Sequence, residues 1–139
     1  EEEHDCFSDN THWSHYYDAK GIKNIYLGEY ITSQGNLLTG LSLSDLVKQA
    51  QPELDAEMKA KLSATESAMQ LMVDQASEGN TFDVLIGEGN EHGNQIIKDI
   101  VNALVDQAKT TEKIIHTLAL AKIELEGSDS LDNPKSVLE

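Results

Sequence analysis

Apolar positions recur at threes and fours along two long stretches of the chain. From Pro52 to Ser77 the row is Leu54, Met58, Leu62, Thr65, Met69, Met72 and Ala76, which lie on one face of a 3.6-residue repeat. Pro52 suits the first turn of that helix, where its missing N–H costs nothing. A second long helix is predicted from about Asn94 to Leu125, with Ile97, Ile100, Val101, Leu104, Ala108, Thr111, Ile115 and Leu118 as its stripe. Ile96 and Ile114 widen that stripe. Between the two, "SEGNT" breaks the pattern, "FDVLIG" makes a short helical turn and "EGNEHGN" breaks it again. An opening helix is predicted from Ser8 to about Tyr30, with Ser8 or Asp9 capping its free N–H groups. "TSQGNLLTGLS" (32–42) reads as a loop that ends on Ser42, the N-cap of a further short helix.

Alternation with a period of two is lacking over any useful length, so the expected fold is all-α, an up-and-down helical bundle. The signals divide the chain into an acidic lead-in (1–7), a helical bundle (8–126) and a polar tail (127–139).

Charge narrows the range of partners. The chain carries 25 acidic residues against 10 basic ones, a formal net charge of −15, and every base is lysine. Without arginine it lacks the planar fork that grips phosphates and carboxylates at two points. An acidic surface repels nucleic acid and anionic lipid, and draws cations or a basic partner. The same acidity also serves plain solubility. Cys6 is the sole cysteine, so no internal disulfide forms. No run approaches the ~20 apolar residues of a membrane span. The chain opens on "EEEHD" without a methionine or signal segment, as a processed or truncated chain would.

Candidate chemistry gathers in "CFSDNTHWSHYYDAKGIKNIYLGEY" (6–30), which holds Cys6, His12, His15, Asp9, Asp18 and the aromatics Trp13, Tyr16, Tyr17, Tyr26 and Tyr30. On a helix, Asp9 and His12 share a face, and an acid three residues from a histidine is a spacing used in carboxylate-rich metal bundles. A metal site needs three or four ligands, so the others must come from outside this stretch. A cap and a hydrogen-bonded polar residue explain the same pair. His15 and Asp18 read as surface. "GEGNEHG" (87–93) has the wrong glycine spacing for a phosphate loop, and Glu88 and Glu91 would repel an anion. It reads as a turn between helices. The methionines fit core positions. No catalytic triad order and no His-Glu-x-x-His zinc motif is present.

"CFSDNTH", "GIKNIYLGEY" and "SLSDLVKQAQPELDAEMKAKLSATESAM" together resemble the C-terminal half of the imelysin family, and the likeness continues through "FDVLI" and "TEKIIHTLALAKIEL". The resemblance implies two helical bundle-like halves with a site between them, in iron-regulated bacterial proteins. These are exported to the periplasm or anchored at the outer membrane as lipoproteins, and some are described as metallopeptidases. It implies that Asp9 and His12 face a metal, iron or zinc, and that Ser8, Asn10, Thr11 and Tyr26 line or orient the site. The family's Gly-x-His-x-x-Glu signature belongs to the N-terminal half and does not occur in these residues. The partner implied is therefore that half, and no complete catalytic set stands in this chain. Three expectations follow: an iron-acquisition protein of which this chain forms one wall of an interdomain metal or ligand site, a metallopeptidase whose motif lies in the other half, or a structural helical module.

Overall fold

The structure is a computed structural model that describes residues 4, 5 and 7–119. Cys6, residues 120–126 at the end of the expected bundle and the polar tail 127–139 lie outside the described residues. The architecture is an all-α bundle with one small hairpin: α1 (Thr11–Leu27), β1 (Glu29–Ile31), β2 (Leu37–Thr39), α2 (Leu43–Ala50), α3 (Pro52–Ser77), α4 (Phe82–Leu85) and α5 (Glu91–Thr117).

Helix α3 is the central element, packed against α5 and against α1. Its buried row is Leu54, Met58, Leu62, Thr65, Met69 and Met72, joined by Asp55 and Val73, and Ala76 is half-buried. One core cluster joins Tyr16 and Ala19 of α1 to Met69, Met72 and Val73 of α3, Leu85 of α4, and Ile96, Ile97 and Ile100 of α5. The other joins Tyr26 and Val47 to Leu54, Met58, Leu62 and Ile114. The early residues of α1 thus meet the late ones of α3 and the early ones of α5. This is an up-down-up order. The clusters are aliphatic and sulfur-rich, and their burial supplies most of the fold's stability.

Several sequence expectations need correction. Helix α1 starts at Thr11 rather than Ser8, because Asp9 stands in the left-handed region at φ 53° and cannot continue a right-handed helix. Asn10 occupies the N-cap position without a side-chain cap bond. The helix ends at Leu27, where Gly28 turns left-handed at φ 64°. A Cβ on Gly28 would lie 2.8 Å from Gly40 O and from Ser42 Cβ, so both the turn and the close approach require glycine.

The expected loop 32–42 supplies the turn and second strand of a hairpin whose first strand, β1, directly precedes it, with Tyr30 opposite Leu38 and Ile31 opposite Leu37. Three-residue strands are too short for alternation to register, while Gly35 at φ 81° closes the turn. Ser42 does cap α2: it accepts from Asp45 N–H at 3.0 Å, and Asp45 accepts from Ser42 N–H in return.

Helix α5 starts at Glu91, earlier than Asn94, because Asn90 caps it by accepting from Gly93 N–H at 2.8 Å. It ends at Thr117, and the remaining expected helix to Leu125 lies outside the described residues beyond Ala119. Its buried row is also shifted. Gln107, Thr110 and Ile114 are buried, whereas Ala108, Thr111 and Ile115 are half-buried. Two adjacent rows of the helix are nearly equal in apolarity, and the Thr110 hydroxyl meets both the Asp106 carbonyl and Glu57 of α3, so a polar residue is satisfied inside the interface. Lys61–Asp106 and Lys113–Glu57, each at 2.7 Å, flank the same seam.

Candidate metal-facing segment at the start of α1

The lead-in folds back on the first turns of α1. Asp5 N–H donates to Thr11 Oγ1 at 3.1 Å, and the Ser14 hydroxyl donates to the Asp5 carboxylate. Ser8 donates through both its N–H and its hydroxyl to the Asp5 carbonyl, at 3.1 and 3.2 Å. Thr11 is fully buried under this turn. Asp5 is thus a clasp, and the residue before it is carried onto the helix.

That residue is His4. Its ring stacks on His15, with centroids 5.1 Å apart and planes at 20°. His15 in turn meets Phe82 of α4 at 5.6 Å. The sequence reading placed His15 on the surface. The structure places it half-buried, since α4 brings an aromatic ring over it. Burial lowers the pKa of His15, the neighbouring His4 adds to that, and Asp18 and Asp5 oppose it. Asp18 lies three residues further along α1, on the same side. One ligand atom from each of His4, His15 and Asp18 lies within 4.8 Å of the other two, the one such trio of histidines and acids among the described residues.

The family-motif residues are distributed differently. Asp9 is exposed and precedes the helix, so the shared helical face expected for Asp9 and His12 does not form. His12 sits in the first turn of α1, half-buried, beside Trp13 at 6.1 Å. Its Nδ1 is buried and meets no hydrogen-bond partner among the described residues. Buried polar atoms are nearly always satisfied, and His12 Nδ1 is the one buried side-chain polar atom without a partner among the described residues. Asn10 borders an open cleft of about 630 Å³ with His4, Trp13, Ser14, Tyr17 and Asp18. Trp13 and Tyr17 stack at 5.4 Å on its wall, and Lys20 lies 5.5 Å from the Tyr16 ring, within cation–π range.

Tyr26 stands about 21 Å further along the helix than His12, at 1.5 Å per residue. It is 3% exposed and its hydroxyl donates to Asp55 at 3.0 Å. Asp55 also accepts from Ser44 and Lys59, each at 2.7 Å. The structure thus gathers Ser8, Asn10, Thr11 and His12 at one end of α1 and leaves Tyr26 in the core at the other.

Chemically, the segment offers imidazole nitrogens and carboxylate oxygens beside an aromatic cleft. Such donors suit a first-row transition metal. The grouping of His4 with His15 and Asp18 escaped the sequence reading. Its one visible signal was the three-residue spacing of His15 and Asp18, because His4 joins them only through the Asp5 clasp.

No helix of the described residues is long and apolar enough to cross a membrane. A search of curated proteins finds no match. The family model of imelysin, which carries a peptidase label, matches residues 1–111. That span takes in the clasp, the motif segment, the hairpin and most of α5. The chain belongs to the imelysin family.

Proposed function

We propose that this chain is the C-terminal, cation-facing half of an imelysin-like protein exported for iron acquisition, located in the periplasm or anchored at the outer membrane. The segment from Ser8 to His12 forms one wall of an interdomain site. An N-terminal half carrying Gly-x-His-x-x-Glu supplies the facing wall and the remaining ligands. The observation that carries this reading is the buried, unbonded Nδ1 of His12. The net charge of −15 favours a cation at such a place. Binding is preferred to catalysis because two donors, Asp9 and His12, neither complete a metal set nor provide a general base beside one. When bound, iron or zinc would supply a Lewis-acidic centre, and His12 would hold it.

The test is equilibrium dialysis of a protein containing both halves against iron(II) and against zinc(II), beside the same protein carrying Asp9→Ala and His12→Ala. The double variant retains one equivalent less, and neither protein hydrolyses peptides. Full metal retention in the double variant contradicts the reading. Chelator-sensitive peptide cleavage that disappears with His12→Ala replaces it with a metallopeptidase.

A further inference from the structure

We propose that His4, His15 and Asp18 form a second site, for a divalent first-row transition metal such as zinc or ferrous iron. Their side chains lie with one ligand atom each inside a 4.8 Å group. In a bound site with metal–ligand distances of about 2.0–2.2 Å, donors stand roughly 3.0–3.6 Å apart. The gap is small enough for side-chain torsions to close. His4 and Asp18 are exposed and free to turn, whereas His15 is half-buried against Phe82 and provides the fixed donor.

The supporting structure is already in place. His15 and Asp18 project from one rigid helix at a spacing that puts both on one face. His4 would otherwise range widely on a lead-in chain. The bonds from Asp5 N–H to Thr11 and from Ser14 to the Asp5 carboxylate hold it over His15, so much of the ordering cost of a third ligand is met before any ion arrives. Among the described residues, no hydrogen bond or ion pair occupies His4, His15 or Asp18; the two imidazoles stack instead. Their donor atoms remain available to an ion.

Donor type selects the metal. Two imidazoles and one carboxylate match zinc and non-haem ferrous iron, with at least one coordination position left open. Calcium and magnesium prefer all-oxygen shells and are poorly served. His4 and Asp18 both line the aromatic cleft, so that is where an open position would meet water or a small ligand. This site does not rest on the iron-acquisition reading, since it shares no donor with the Asp9 and His12 pair.

The experiment uses the untagged 139-residue chain, zinc(II) in calorimetry and cobalt(II) as a visible-absorbance probe, with magnesium as the control ion. The chain binds one equivalent of zinc and no magnesium. His4→Ala and Asp18→Asn, both at exposed positions, each weaken zinc at least tenfold with unchanged circular dichroism. Asp9→Ala with His12→Ala leaves this equivalent in place. Wild-type affinity in His4→Ala overturns the site, as does absence of zinc binding at millimolar concentration. Loss of the equivalent in the Asp9 and His12 variant alone also overturns it, while favouring the interdomain reading.

Discussion

The phenol of Tyr26, on α1, donates to Asp55, on α3, at 3.0 Å, and this bond ties together the two helices that frame the lower core. Ser44, from α2, reaches the same carboxylate oxygen at 2.7 Å, and Lys59 takes the other. Three helices therefore converge on one buried acid. Tyr26→Phe removes a donor and leaves the rest. It lowers unfolding free energy by about 1–2 kcal/mol, read from urea denaturation, with no change in metal binding at the opposite end of α1.

Acid dependence follows from the same carboxylate. Burial of Asp55 disfavours its charge, but hydrogen bonds from Lys59, Ser44 and Tyr26 outweigh that and hold its pKa below the usual value. A group with a depressed folded pKa stabilises fully above its unfolded value, about 3.9, and loses that contribution as pH falls through the folded one. The urea midpoint should therefore fall as pH drops below about 4. Asp55→Asn, starting from lower stability at neutral pH, should show a shallower fall over that range.

Gly93 is buried where α5 crosses the end of α4. A Cβ there would lie 2.5 Å from Leu85 O and 2.7 Å from Leu85 Cα, backbone atoms that cannot yield singly. Asn94 also donates to the carbonyls of Leu85, Gly87 and Asn90, so the turn is held from both sides. Gly93→Ala costs about 1–3 kcal/mol as an overpacking change. Because Phe82 of α4 rests on His15, thermal melting should show the loss together with altered His15 ring resonances.

Ser42 and Asp45 cap α2 reciprocally. Ser42→Ala removes one partner from the N-terminal N–H groups and costs about 1 kcal/mol. Ser42→Gly, which keeps the turn without the bond, is expected to cost only a few tenths of that unit. Chemical denaturation of the two variants separates cap from backbone.

The local features of this fold were the ones spacing conveys. The α3 face from Leu54 to Met72, the Ser42 cap and Pro52 at a first turn were all legible because each depends on residues within four positions. The α1 start was misplaced by three residues because Asp9 adopts φ 53°, which no composition rule announces. The α5 seam ran through Thr110 because Glu57 of α3 meets its hydroxyl, a partner that periodicity does not announce. In the candidate site, the motif residues near His12 were visible as a cluster. His4 was not, since its place over His15 is set by the Asp5 clasp.

The most direct measurement is anomalous X-ray scattering at the iron edge from crystals of a protein containing both halves, loaded with ferrous iron. The account predicts a peak about 2.1 Å from His12 Nδ1, with further ligands arriving from the facing half. Iron peaks elsewhere, with His12 Nδ1 still unbonded, would contradict it.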